Sequence, residues 1–215
     1  MRVGLSEIVC ILDRSGSMGS IVNDAIGGFN TFLTEQKAVD GEANITIVLF
    51  NDRMELLYDN VDIKTIPDMR YESYRPNGGT ALYDAIGYTM VSVGDRLAKT
   101  AEADRPEKVI VVILTDGEEN SSKTYAQLRI KQMIQHQEQV YNWAFVYLAA
   151  NVDAITTGSA FGMTQNNTLS FSSTSTGTRQ AFENMNVYSK SIRCMSKSAT
   201  MDSIYASAKL ESVEL

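Results

Sequence analysis

Two stretches constrain the fold more than any others: "ITIVLF" (Ile45–Phe50) and "VIVVIL" (Val109–Leu114) carry apolar or β-branched residues at every position. A strand with one wet face alternates apolar and polar residues. A run that never alternates belongs to a strand covered on both sides, as in a parallel sheet with helices on each face. Glu7–Leu12 and Trp143–Ala149 have the same character.

The segments between these runs read as helices. Ser20 is placed to cap the first, with Val22, Ile26, Phe29 and Leu33 at helical spacing. Thr80 opens the second, with Leu82, Ile86, Met90, Val93 and Leu97 along one face. Thr124 is placed to cap a third carrying Leu128, Ile130, Met133 and Ile134. A weaker helix covers Ala154–Phe161, and a last one runs from about Thr178 to Arg193 with Phe182 and Val187 among its apolar positions. Strands alternating with helices imply crossover units and a doubly wound, Rossmann-like α/β sheet, mostly parallel and six-stranded. "ELLYDNVDI" (Glu55–Ile63) follows the second strand after only "NDRM", too short for a crossover, so it pairs antiparallel at an edge. "NTLSFSST" (Asn167–Thr174) supplies the strand at the other edge. The expectation is a single domain over 1–195, with 196–215 as a helical extension or tail.

Composition narrows the function. The chain of 215 residues has a net charge of −7 with scattered basic residues, which argues against a nucleic-acid surface. No apolar run is long enough to span a bilayer, and no charged-then-apolar leader precedes the first strand, so the expected location is the cytoplasm. His136 is the only histidine and the two cysteines, Cys10 and Cys194, are read as buried free thiols. Zinc sites built on histidine and His-based triads are therefore not expected. No GxGxxG or GxxxxGK[ST] follows any strand, and "IGGFN" falls inside a helix, which removes a nucleotide site.

In open α/β sheets ligands bind beyond the carboxyl ends of the strands. Three polar loops fall there: Asp13-Arg14-Ser15-Gly16-Ser17 after the first strand, Asn77-Gly78-Gly79-Thr80 before the second helix, and Thr115-Asp116-Gly117-Glu118-Glu119-Asn120 after "VIVVIL". Hydroxyls and carboxylates are hard oxygen donors that suit Mg²⁺ or Mn²⁺. Asp13, Ser15, Ser17, Thr80 and Asp116 are the candidate metal-binding set, which leaves part of an octahedral shell to water or an outside ligand. Each loop alone also reads as an ordinary turn or cap, and Glu118 and Glu119 read as solvated acids at a helix entry. Asn51 and Asp52 read as turn residues at the same rim. Tyr71, Tyr74 and Tyr83 are read as packing residues rather than as a partner surface.

These residues resemble the metal-ion-dependent adhesion site of the von Willebrand factor A domain, also seen in integrin inserted domains. Its pattern is D-x-S-x-S, then a distant Thr, then a distant Asp after a central strand. Asp13, Ser15 and Ser17 match the first part, Thr80 in "GGTAL" the second, and Asp116 in "ILTDGEEN" the third. The resemblance covers nearly the whole chain and looks most like bacterial or phage cytoplasmic members. It implies Ser15, Ser17 and Thr80 as direct ligands, with Asp13 and Asp116 direct or acting through water. It also implies a partner protein that completes the shell with an Asp or Glu. The implied function is a metal-dependent protein-binding module rather than an enzyme, with oligomeric state open. The alternatives weighed against it are a metal-assisted phosphoryl-transfer hydrolase with Asp13 as nucleophile and a structural or assembly component. The hydrolase reading wants an Asp where the sequence has Ser15.

Overall fold

The structure is a computed structural model and describes residues 1–150, 154–163 and 167–195. Six strands form one sheet in the order β3-β2-β1-β4-β5-β6: β1 (Arg2–Asp13), β2 (Glu42–Phe50), β3 (Met54–Asp62), β4 (Pro106–Thr115), β5 (Ala144–Ala149) and β6 (Thr168–Ser170). All neighbours are parallel except β2 and β3. The exception comes from the short link between them, where Asn51 N–H donates to Arg53 O (2.9 Å) and the Asn51 side chain accepts from Arg53 N–H (2.9 Å). So tight a turn leaves no room for a crossover.

Helices α1 (Val22–Ala38) and α6 (Ser175–Cys194) cover one face; α2 (Tyr71–Tyr74) is a single turn near α1. On that face Phe29, Phe32, Phe182 and Tyr188 pack over the alternate strand residues Ile8, Cys10 and Leu12. Helices α3 (Leu82–Lys99), α4 (Gln127–Tyr141) and α5 (Ala154–Ala160) follow in the chain, and Leu82, Ile86, Ile130 and Ile134 from α3 and α4 pack over Val9 and Ile11 on the other face. Consecutive residues of β1 thus enter two different cores, which is why the central strands carry no polar alternation. The crossover through α1 carries the chain from β1 to β2, and the one through α3 carries it from β3 back past β1 to β4, where the winding turns outward the other way. The carboxyl ends of β1 and β4 flank the point where the winding reverses.

Several local expectations are corrected. Ser20 does not cap α1: a 3-10 turn, Gly16–Ile21, intervenes, α1 starts at Val22, and the Ser20 hydroxyl donates back to Ser17 O at 3.3 Å. Thr124 does not cap α4, which begins at Gln127; its N–H is taken by Asp84 and its hydroxyl pairs with Tyr88. Leu128 and Val187 point to solvent, because their helices turn Ile130 and Ile134, or Phe182 and Met185, toward the sheet instead. Cys10 is buried as expected, whereas Cys194, the last residue of α6, is exposed. The last strand is limited to Thr168–Ser170. The expected extension or tail at 196–215 lies outside the described residues.

Candidate metal centre

The three polar loops meet above β1 and β4. Asp13 is the last residue of β1 and is fully buried. Its Oδ1 accepts the Ser15 N–H at 2.6 Å, and its Oδ2 accepts the Thr115 hydroxyl at 2.5 Å. The Tyr74 hydroxyl donates to the Asp13 backbone carbonyl from below. Burial pushes the Asp13 carboxyl up to about 6, against the lowering effect of the Thr115 and Ser15 donors. The Ser15 and Ser17 hydroxyls share a hydrogen bond of 2.9 Å, and the Ser17 hydroxyl donates to Asp116 Oδ1 at 2.6 Å. Burial raises the Asp116 carboxyl above its ordinary range, opposed by that Ser17 donor. No ion pair reaches either acid among the described residues.

Thr80 arrives from the loop before α3. The helix itself starts at Leu82 without a side-chain cap, so the Thr80 hydroxyl is not spent on the helix end. Gly117 shows where it goes. A β-carbon built there would stand 2.9 Å from Thr80 Oγ1, 3.3 Å from Ser17 Oγ and 3.6 Å from Ser15 Oγ. Three hydroxyl oxygens from two separate loops therefore border one small space, and only a residue without a side chain leaves it open. Gly78, with φ of +76°, gives the preceding loop a path that L-residues rarely take, and its carbonyl accepts the Gly16 N–H at 3.0 Å. The loop is held further by Asn51, whose amide donates to Asn77 O (3.0 Å) and whose carbonyl accepts the Ala81 N–H (2.7 Å). Asn51 is thus more than a turn residue: it is buried and supports the Thr80 loop.

All five expected side chains are brought to this rim: Asp13, Ser15, Ser17 and Asp116 by direct hydrogen bonds, and Thr80 through the Gly117 space. The structure adds residues that the sequence reading missed. Thr115 orients Asp13. Asn120 Oδ1 accepts the Thr80 N–H at 2.9 Å, and Thr80 O accepts the Asn120 and Ser121 N–H groups at 3.0 and 3.2 Å. Glu119 is not a solvated helix-entry acid. It accepts the N–H groups of Tyr83 (2.9 Å), Ser121 (2.9 Å) and Ser122 (2.7 Å), which staples the Asp116 loop to the first turn of α3. The signal was present in "EENSS", a short polar run able to satisfy its own backbone, but its α3 partner lies far away in sequence. Tyr74 and Tyr83 pack as expected, Tyr74 fully buried; Tyr71 is exposed.

Two carboxylates and three hydroxyls offer only hard oxygens, and no cluster of three His, Cys, Asp or Glu side chains occurs among the described residues. That donor set, around a space kept clear by glycine, fits a hard divalent cation and not a soft one.

No family model matches the sequence, and no curated protein does either. Solved structures do. A structure of proximal thread matrix protein 1 from the mussel byssus, with a zinc-occupied MIDAS motif, superposes with a TM-score of 0.58 at 14% identity, covering 95% of this chain and 46% of that one. A von Willebrand factor type A protein from Catenulispora acidiphila gives 0.55 at 15%, covering 86% and 42%. Manganese-loaded TRAP protein from Plasmodium vivax gives 0.51 at 19%, covering 69% and 58%. The chain spans about half the length of the structures it matches. At such identities the likeness establishes the fold, which is that of a von Willebrand factor A domain. No helix among the described residues is long and apolar enough to cross a membrane.

Proposed function

We propose that this rim holds a divalent cation, magnesium or manganese, and presents it to an acidic side chain of a partner protein. The observation that carries the reading is the three-hydroxyl space beside Gly117, flanked by two carboxylates in no ion pair among the described residues. Ser15, Ser17 and Thr80 are the neutral donors of the set; Asp13 and Asp116 supply the charge. A bound dication provides an under-neutralised positive centre that draws in an external carboxylate. The chain's own residues do the rest. Thr115 and the Ser15 N–H fix Asp13, Ser17 links to Asp116, and Asn120 with Glu119 keeps Thr80 in register with the Asp116 loop.

Support also comes from the fold neighbours whose adhesion-site motif or whole protein is described as loaded with zinc or manganese. An aspartyl-nucleophile reading is disfavoured by position: Asp13 is fully buried and both its oxygens already accept hydrogen bonds. The test is titration calorimetry with Mg²⁺ and Mn²⁺ on the wild type and on Asp13→Ala, with circular dichroism as the fold control. The wild type is expected to bind one ion and the folded variant none. Undiminished affinity in the variant would overturn the assignment.

A further inference from the structure

The sequence contains a single Asn-Gly step, Asn77-Gly78, and it stands in the loop that carries Thr80. A backbone nitrogen can attack the side-chain amide of the asparagine before it, and glycine gives that nitrogen the least steric cover because it has no β-carbon. Both residues are exposed, and the Gly78 N–H takes part in no hydrogen bond among the described residues.

Two neighbours bear on this step. The Asn51 side-chain amide donates to Asn77 Oδ1 at 2.8 Å and to Asn77 O at 3.0 Å. Those are the two carbonyls of the cyclic imide that would form between Asn77 Cγ and the Gly78 nitrogen. A donor on the first makes Cγ more electrophilic, and a donor on the second makes the Gly78 N–H more acidic. Asn51 is buried, so the donor is held in place. Asp52 supplies a proton acceptor. A β-carbon built on Gly78 would meet Asp52 Oδ1 at 2.4 Å, which puts this carboxylate no more than about 5 Å from the Gly78 nitrogen, within the reach of one water. The Asn77 Nδ2 that must depart already donates to Arg75 O at 3.1 Å.

We propose that Asn77 is a self-modifying residue, converted to aspartate and isoaspartate with the help of Asn51 and Asp52. The Gly78 nitrogen bonds to Asn77 Cγ, the Cγ–Nδ2 bond breaks, and the N–H proton passes by way of Asp52 to the leaving group, which departs as ammonia. Water then opens the ring. Addition at Cγ leaves an ordinary aspartate, and addition at the Asn77 backbone carbon leaves isoaspartate; in sum one water is consumed and one ammonia released. The consequence for the rim rests on the metal reading above. Asn77 N–H donates to Arg14 O at 3.0 Å, and Gly78 O accepts the Gly16 N–H at 3.0 Å, so the step is clamped on both sides to the D-x-S-x-S loop. Isoaspartate places an extra carbon in the main chain between those clamps. The two cannot then hold in register, and Thr80, just beyond, loses its place beside Ser17.

The test follows amide loss at Asn77 by mass spectrometry of peptide digests, for the full chain and for a free peptide of sequence Arg75–Thr80 in the same mildly alkaline buffer. The folded chain is expected to convert about tenfold faster than the peptide. That is less than a positioned group supplies in a dry active site, because this loop is wet. Asp52→Asn should bring the rate down toward that of the peptide without moving the melting temperature. A folded chain that converts no faster than the peptide, or an Asp52→Asn rate equal to the wild type, overturns the assisted modification. The added charge lets ion exchange separate the aged protein, whose Mg²⁺ affinity is then measured by calorimetry. The isoaspartate form should bind more than tenfold more weakly than fresh protein, the size usual for lost support of metal ligands. Asn77→Asp, with the charge but no extra backbone carbon, should bind close to fresh protein. Equal affinity of the isoaspartate form overturns the link to the rim. Absence of Mg²⁺ binding by fresh protein is a different result: it removes the metal reading and leaves the conversion rates to decide the modification.

Discussion

Strand β1 carries two fully buried carboxylates, Glu7 midway along it and Asp13 at its end, and the chain treats them in opposite ways. Glu7 receives a bidentate guanidinium from Arg96, which is itself braced by Asp59 at 3.1 Å, and a hydroxyl from Thr46 at 3.0 Å. Its charge is settled inside the molecule. Among the described residues Asp13 receives only neutral donors; it faces a second acid, Asp116, and lies beside the three hydroxyls that border the Gly117 space. Burying a carboxylate without a counter-charge is costly. On the metal reading proposed above, the first acid is neutralised within the fold and the second is left for a cation from outside. Among the described residues the acid in the middle of β1 has its counter-charge, and the acid at its carboxyl end has none.

The comparison is broken hardest at Glu7. Removing the internal cation by Arg96→Ala leaves Glu7 buried and unmatched, and should cost about 3 kcal/mol of stability in chemical denaturation; adding Glu7→Gln should recover much of it. If the single variant is as stable as the wild type, Glu7 is not settled in the way described. At the carboxyl end Gly117→Ala keeps the backbone but puts a methyl against Thr80 Oγ1. Calorimetry should show Mg²⁺ affinity weakened by more than tenfold while the melting temperature in chelator barely moves. Asn120→Ala removes the acceptor that fixes the Thr80 N–H, and by the magnitude usual for groups that orient metal ligands it should weaken Mg²⁺ binding by about tenfold.

The smallest effect concerns Asp84, an acid held chiefly by backbone N–H groups, with the Lys123 charge as a lesser help. Burial pushes its carboxyl up, but N–H groups of Lys123, Tyr125 and Thr124 outweigh that and hold it below the ordinary value. Because its folded value is depressed, its contribution to stability is present above the ordinary carboxylate range and is lost as pH falls through the folded value. Denaturation midpoints of the wild type and Asp84→Asn should therefore converge in acid and separate slightly near neutrality. Curves that stay parallel across that range would show that the 123–125 segment is not held by this charge.

The sheet could be read from sequence because its central strands are continuous apolar runs, and such runs have few other homes in a chain of this size. The antiparallel β3 followed from the brevity of "NDRM". The rim residues could be read because each lies within a few residues of the end of an apolar strand or the start of a helix, so the fold alone brings them together. What escaped was held by contacts between distant segments. Ser20 and Thr124 look like caps locally, but hydrogen bonds to Ser17 and to Asp84 and Tyr88 claim those stretches before the helices start. Glu119 looked solvated until the first turn of α3 supplied its donors. Leu128 and Val187 fit a helical stripe, yet which stripe faces the sheet depends on how the helix docks.

The most direct test of the central claim is a crystal grown with manganese and measured for its anomalous signal. The account predicts one strong peak beside Gly117, in contact with the hydroxyl oxygens of Ser15, Ser17 and Thr80 and next to the carboxylates of Asp13 and Asp116. A map with no peak there at saturating manganese, or with the peak at Asp84 or Glu119 instead, would contradict it.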